Sequence, residues 1–255
     1  MSRQAPTFEE IFVKHELDII LHSNLQYRDK PDLEYTDING NKHGIEVVEA
    51  CSKLLREYDS TRNKKIADQF NKKSLVKAYG VHLDTKHGLY IHNNKLGLHM
   101  IADAINKKSI KVINGSYSDY NSMWLAIMCD MHVGFINDYI DGAVKQLKPS
   151  IFEKIFIISY NDQLIFEIHN KNIIRHKMYI SNQNDDLKKL VIKEYLGMES
   201  SESRDREVRK CIRYLLKCHN ANNYNLSKDI KYMTIDKNGI NSIVYKYSHV
   251  KNFID

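Results

Sequence analysis

Residues 30–50, KPDLEYTDINGNKHGIEVVEA, constrain the fold of this 255-residue chain more than any other segment. Two runs that alternate polar and apolar residues flank Asn39-Gly40, and Asn-Gly is the strongest short-range signal for a tight β-hairpin. The pattern predicts two antiparallel strands, with Asp32 on the first and Glu46 on the second. Because every second side chain of a strand shares a face, we expect Asp32, Glu34 and Glu46 to converge.

Carboxylates crowded on one sheet face repel each other unless a cation lies between them. A hard divalent ion with oxygen ligands meets this need, and Mg²⁺ suits such a small carboxylate set. The hairpin therefore predicts a site for Mg²⁺, or for Mn²⁺, at Asp32 and Glu46.

A helix is predicted before the hairpin, over residues 7–24, because Thr7 and Glu10 form a capping-box signature ahead of apolar residues at helical spacing. Glu16 falls inside the apolar stripe of this helix, and a carboxylate on a buried face is unfavourable unless it is paired or bound to a metal. Two interpretations stay open. Glu16 is either a third acidic residue of the metal site or a boundary residue that reaches solvent or an ion-pair partner.

The rest of the first 198 residues predicts an α/β fold. A long helix is expected over residues 52–78, and residues 123–129 and 155–159 are apolar runs with the length of buried central strands. Helix, strand, strand, helix and further buried strands, in this order, are typical of a mixed sheet flanked by helices.

These features resemble the PD-(D/E)xK nuclease superfamily. The resemblance begins with Pro31-Asp32 on one strand and Glu46 on the next. It extends over residues 7–160 through a lysine-rich segment and a tyrosine before a buried strand, INKKSIKVINGSYSDYNSMWLAIM. It implies a restriction-endonuclease-like core that hydrolyses phosphodiester bonds with Mg²⁺. It also implies that Asp32 and Glu46 hold the metal and that Glu16 assists.

The sequence departs from this family at one position, because the lysine expected two residues after the glutamate is Val48. Three explanations stay open. The cation comes from the following helix, where Arg62 and Lys65 are the candidates, or a bulge at Val47-Val48 turns Glu49 towards the metal. In the third explanation catalysis is lost and the fold is kept for binding.

An acid-x-lysine triplet, Asp84-Thr85-Lys86, lies among several histidines. It is about 50 residues from Asp32, which is too far for a hairpin pairing, and the histidines do not share the spacing of ligands on one helix. We expect these to be loop residues.

A small basic domain is predicted after a glycine- and serine-containing linker at residues 197–206. The net charge is +6, and residues 199–255 hold eleven Lys and Arg against seven Asp and Glu, so most of the positive excess lies in this last part. The expected domains are therefore residues 1–198 and an all-α domain at residues 199–255. A basic module is the footprint expected of a nucleic-acid partner.

Residues 226–247 resemble a helix-turn-helix, preceded by a basic helix over residues 203–219. A recognition helix places its first side chains at base edges, while nearby basic residues contact phosphates. The alternative is a small helical subdomain that packs against the core. The DNA-binding residues that the resemblance implies are Lys237, Asn238, Asn241, Arg209 and Arg213.

The function expected from these patterns is a metal-dependent nuclease, acting on DNA and of bacterial, prophage or mobile-element origin. The alternative is a non-catalytic DNA-binding regulator on a decayed nuclease fold. The chain contains no run of eighteen apolar residues and its first residues lack a hydrophobic signal core, so we expect no membrane association and a cytoplasmic location. A homodimer is compatible with the sequence.

Overall fold

The structure is a computed structural model of the chain. It describes residues 6–51, 53–61, 63–72, 74–79, 83–84, 89–90, 94–115, 117–129, 133–146, 150–179, 223–226, 232–237 and 240–246. The chain divides into two compact units, one of residues 16–179 and the other of residues 1–15 with residues 180–255. The expected boundary at residues 198 and 199 lies outside the described residues.

The described residues of the unit 16–179 form nine strands. They are β1 (Gln26–Tyr27), β2 (Leu33–Thr36), β3 (Lys42–Ala50), β4 (Leu83–Asp84), β5 (Leu89–Tyr90), β6 (Ser122–Cys129), β7 (Lys154–Ser159), β8 (Leu164–His169) and β9 (Asn172–Lys177). Seven of them form one sheet in the order β1-β2-β3-β6-β7-β8-β9, while β4 and β5 pair with each other. The sheet is mixed, because β6 runs parallel to β3 and β7 while the other neighbouring pairs are antiparallel.

The helices are α1 (Phe8–Ile20), α2 (Lys53–Thr61), α3 (Lys64–Lys72), α4 (Ser74–Tyr79), α5 (Asn94–Ile113) and α6 (Ile140–Gln146), with a 3₁₀ turn at Ile136–Asp138. Helix α5 packs against β3 and β6. Its buried residues Ile101 and Ala104 share one hydrophobic core with Leu125 and Ile127 of β6. The predicted α/β class, a mixed sheet with flanking helices, is confirmed.

The predicted capping box begins α1. The Thr7 N–H donates to Glu10 Oε2 at 3.1 Å, and the Glu10 N–H donates to Thr7 Oγ1 at 3.2 Å. The single helix expected over residues 52–78 is instead divided into α2, α3 and α4. Asn63 explains the first break, because its Oδ1 accepts the Lys65 N–H at 2.9 Å and so caps a new helix.

The predicted hairpin is confirmed as β2 and β3, with Leu33 opposite Ile45 and Thr36 opposite Lys42. Its loop contains five residues, where Asn39-Gly40 alone predicted a tighter turn. Asp37 holds this loop, because its Oδ1 accepts the N–H groups of Asn39 and Asn41, each at 2.8 Å. Hydrogen bonds from Asn41 and Asn39, together with the nearby His43 ring, lower the pKa of Asp37 to about 2.

The described part of residues 199–255 is a three-stranded antiparallel sheet of β10 (Asn223–Leu226), β11 (Tyr232–Lys237) and β12 (Ile240–Lys246). Two helices were expected over residues 226–247, whereas the described residues of this range lie in strands. The physical reason is visible in the segments YMTIDK and INSIVYK, which are rich in β-branched and aromatic residues, with the hairpin dipeptide Asn238-Gly239 between them.

Two of the five predicted DNA-binding residues lie in the described strands. Lys237 ends β11 and Asn241 lies in β12, so neither belongs to a recognition helix. Asn238, Arg209, Arg213 and the basic helix expected at residues 203–219 lie outside the described residues. Nucleic-acid contact by this part of the chain stays a prediction.

Among the helices of the described segments, none combines the length and the apolar character that a membrane span requires.

The close packing of Gly44 in β3 gives a prediction about stability. A Cβ at this position would lie 2.7 Å from Met123 Sδ and 2.8 Å from Pro31 Cγ. The Met123 side chain can rotate but the proline ring cannot, so Gly44→Ala should lower the free energy of unfolding in urea by about 1–3 kcal/mol.

Gly142→Ala is the matched control, because a Cβ at Gly142 of α6 meets no atom within 4 Å. This substitution should be neutral or stabilising by up to about 1 kcal/mol. Equal stability of the two variants would contradict the packing described at Gly44.

Candidate functional site

The open end of the β2–β3 hairpin positions two carboxylates. Leu33 pairs with Ile45, so Asp32 and Glu46 occupy the next pair of positions along the two strands. Asp32 Oδ2 accepts the Val47 N–H at 2.7 Å, just beyond the paired part of β2. This bond to the backbone fixes the Asp32 carboxylate beside Glu46.

Lys108 of α5 joins the two carboxylates. Its Nζ donates to Asp32 Oδ2 at 3.1 Å and to Glu46 Oε2 at 2.5 Å. The Lys108 side chain is only 15% exposed. An ammonium group of the chain itself therefore bridges the two carboxylates that the sequence predicted to hold a divalent ion.

Glu46 is fully buried and receives four hydrogen bonds. Besides the bond from Lys108, Lys111 Nζ donates to Oε1 at 3.0 Å and to Oε2 at 2.7 Å, and the Tyr117 hydroxyl donates to Oε1 at 2.7 Å. Because a carboxylate has about four acceptor positions, these donors saturate Glu46.

The carboxylates and the lysines of this site stabilise each other's charged forms. Burial alone would raise the pKa of Glu46, but Lys108, Lys111 and Tyr117 hold it below the usual range of a glutamate. Burial alone would lower the pKa of Lys108, but Asp32 and Glu46 raise it above the usual range of a lysine. Burial and the Glu46 carboxylate raise the pKa of Tyr117. At neutral pH the site therefore holds a glutamate anion, a lysine cation and a phenol that donates its proton.

Glu34 has a separate partner, although the alternation of β2 predicted that it would converge with Asp32 and Glu46. Arg28 donates to both of its oxygens, at 3.3 and 3.0 Å, and the Tyr120 hydroxyl donates to Oε2 at 3.2 Å. Burial and the Glu34 carboxylate raise the pKa of Tyr120 to about 12. Tyr117 and Tyr120 thus attach the connection between α5 and β6 to both strands of the hairpin.

Glu16 is buried, as its place in the apolar stripe predicted, with 1% of its surface exposed. Its Oε2 accepts the Tyr179 N–H at 2.9 Å. Within the part of the chain that the structure describes, no three or more His, Cys, Asp or Glu side chains form a group that could hold a metal ion. The described structure therefore does not gather Glu16 with Asp32 and Glu46 into one metal-ligand set.

Of the two predicted substitutes for the missing lysine, only one is among the described residues. Lys65 is exposed in α3, and Arg62 is outside the described residues. The lysines that contact the carboxylates come from α5. The alternative of a bulge at Val47-Val48 that would turn Glu49 towards the metal is excluded, because the pairing of β3 with β6 continues without a shift from His43 to Ala50. Glu49 therefore stays on the opposite face of the strand from Glu46.

Lys108 was not among the predicted site residues, although the sequence contains a signal for it. Lys108 lies four residues after Ala104 and seven after Ile101, and both of these are buried. It is therefore a charged residue inside the apolar stripe of a helix, which is the pattern that singled out Glu16. Lys111 follows one turn later on the same side.

The oxygen donors at this site suit Mg²⁺, which is commonly held by one or two carboxylates together with water and phosphate oxygens. Asp32 and Glu46 supply such a pair. Since four hydrogen bonds saturate Glu46, a metal ligand bond at this residue would replace at least one bond from a lysine or from Tyr117.

Another polar network lies at the start of β6 and contains the residue types of a nucleophilic triad. Ser122 Oγ is 2.8 Å from His43 Nδ1, and His43 Nε2 is 3.6 Å from Asp37 Oδ2. The latter distance is that of a long contact between the His43 ring and the Asp37 carboxylate. Ser122 Oγ also accepts the Trp124 indole N–H at 3.0 Å, and the His43 ring stacks on Trp124. These contacts favour a structural role, in which the hairpin is attached to β6.

Comparisons of the chain with protein-family models, with curated proteins and with solved structures give no match. The functional assignment therefore rests on the residues and geometry of the site.

Removing the Lys108 charge should destabilise the fold. Lys108→Met leaves the buried Glu46 carboxylate and the neighbouring Asp32 without the cation between them, and we expect a loss of about 3 kcal/mol in the free energy of unfolding. The exposed neighbour Lys107 is the control, and Lys107→Met should change stability by less than about 0.5 kcal/mol.

In the Lys108→Met background, Glu46→Gln should recover part of the loss, which a double-mutant cycle measures. Additive effects would contradict a direct interaction.

The lowered pKa of Glu46 predicts how stability depends on pH. A carboxylate whose pKa is lower in the folded state stabilises the fold above its unfolded pKa, and this contribution is lost as pH falls through the folded pKa. The stability advantage of the wild type over Glu46→Gln should therefore be present at pH 7 and decrease below about pH 4. Urea titrations at several pH values measure it, and a difference that is constant with pH would show that Glu46 is not held as an anion.

Proposed function

We propose that this chain is a Mg²⁺-dependent nuclease that hydrolyses phosphodiester bonds in DNA at a site formed by Asp32, Glu46 and Lys108. The observation that carries the proposal is that Lys108 Nζ bonds Asp32 and Glu46 at the same time. Two carboxylates and a lysine in contact are the groups that metal-assisted phosphodiester hydrolysis requires, and here the lysine comes from a helix in place of Val48.

The architecture around the site supports the same proposal. The hairpin of β2 and β3 carries both carboxylates, and α5 provides the lysines and leads into β6, which is parallel to β3. A restriction-endonuclease-like core with its lysine moved to the helix before β6 accounts for this arrangement.

The roles of the residues follow from their chemistry. Asp32 and Glu46 would hold the metal, which when bound supplies a water of lowered pKa and neutralises charge on the phosphate. Lys108 is a cation at neutral pH beside both carboxylates, and its Nζ would donate to a nonbridging oxygen or orient the attacking water. Tyr117 donates to Glu46 Oε1 and keeps this carboxylate in one orientation.

DNA as the partner is supported by the excess of basic residues in residues 199–255. The second candidate function, a DNA-binding regulator without catalysis, is favoured by a different observation. Hydrogen bonds occupy all acceptor positions of Glu46, and lysines balance its negative charge, as in an ion-pair cluster with a structural role.

Cleavage of double- and single-stranded DNA by the full chain, with Mg²⁺ and with EDTA, separates these functions. Asp32→Asn and Glu46→Gln should each reduce Mg²⁺-dependent cleavage by at least about a hundredfold, because each would remove a metal ligand. Glu49→Gln is the matched control, because Glu49 lies on the other face of β3, and it should cleave like the wild type.

Circular dichroism establishes that each variant is folded. Cleavage that persists in EDTA, or full activity of both the Asp32 and the Glu46 variant, would contradict the proposed metal-dependent nuclease. Salt-sensitive DNA binding without any cleavage by the wild type would favour the regulator.

A further inference from the structure

The two lysines at Glu46 differ in their access to solvent. The Lys108 side chain is 15% exposed and lies between both carboxylates, whereas the Lys111 side chain is 42% exposed. Within the described contacts, Lys111 bonds Glu46 and not Asp32. Of the two lysines at Glu46, Lys111 is therefore the more accessible to a ligand arriving from solvent.

The site offers no net negative charge to a metal that arrives alone. Two carboxylates face two ammonium groups, so the set is neutral when all four are ionised. A divalent cation entering such a set is repelled by both lysines. A phosphodiester brings the negative charge that would draw a lysine away from Glu46.

We propose that Lys111 is a phosphate-binding residue, which releases Glu46 and donates instead to a nonbridging oxygen of the phosphodiester. This exchange makes metal binding depend on the substrate. The inference rests on the proposed nuclease function, because it concerns the same carboxylates.

The contacts of Glu46 suit such an exchange. When Lys111 leaves, Oε1 keeps the bond from Tyr117 and Oε2 keeps the bond from Lys108. The carboxylate therefore stays oriented while each oxygen gains an open acceptor position. The long, flexible stem of Lys111 lies in the last turn of α5 and can move without a change in the backbone.

The test is Mn²⁺ binding to the full chain, measured by isothermal titration calorimetry with and without a fully phosphorothioate-substituted DNA oligonucleotide. The oligonucleotide is examined on a gel afterwards to establish that it is intact. Wild-type protein should bind Mn²⁺ at least about tenfold more tightly with the oligonucleotide than without it. Lys111→Gln alone should bind Mn²⁺ about tenfold more tightly than the wild type alone, because one repelling charge is gone.

Lys107→Gln removes the same charge from an exposed position of the same helix and should behave like the wild type. Tyr117→Phe is a second variant, which removes one donor to Glu46 without a change in charge. It should strengthen Mn²⁺ binding by the protein alone, but less than Lys111→Gln does.

Equal Mn²⁺ affinity of the wild type with and without the oligonucleotide would overturn the proposal, as would an unchanged affinity in Lys111→Gln. These outcomes are independent of cleavage. An active, EDTA-sensitive nuclease that binds Mn²⁺ equally well alone would refute the exchange and leave the nuclease standing. Tighter binding by Lys111→Gln in a chain that never cleaves would support the exchange and refute the nuclease.

Discussion

The neutralisation of the Glu46 carboxylate is the interaction on which this part of the structure depends. Glu46 lies in the middle of β3 with no exposed surface, and a buried carboxylate without partners would strongly destabilise the fold. Three elements supply those partners: α5 provides two lysines, the connection to β6 provides Tyr117, and the hairpin places Asp32 beside Lys108. The positions of helix, connection and hairpin are thereby linked through one side chain.

A purely structural explanation accounts less well for this arrangement. Desolvation offsets most of the attraction within buried ion pairs, and well-packed apolar residues often give equal or greater stability. Four polar side chains around Glu46 are therefore weakly explained by stability. The proposed catalysis would use the carboxylates and the cation together, and on this ground we favour it over a regulator that only binds DNA.

Local patterns in the sequence predicted part of the fold well. Alternation and Asn39-Gly40 predicted the hairpin, apolar runs predicted β6 and β7, and the Thr7 capping box predicted the start of α1. Other features depend on contacts between distant residues or on competing local signals. Lys108 lies 62 residues beyond Glu46, so the order of residues in β3 could not reveal it. At residues 226–247 the helical spacing of isoleucines competed with β-branched content and an Asn-Gly dipeptide, and the strands prevailed.

The site itself was predicted in its acidic half and missed in its basic half. Asp32 and Glu46 follow from strand alternation, which is a local property, whereas Lys111 and Tyr117 reach Glu46 only after α5 packs on the sheet.

The most direct test of the proposed metal site is a crystal of the full chain with Mn²⁺ and an uncleavable oligonucleotide, measured for anomalous scattering. We predict a manganese peak bonded to Asp32 and Glu46, with Lys111 on a phosphate oxygen. A complex in which Glu46 keeps all its lysine bonds and manganese lies elsewhere would contradict this mechanism.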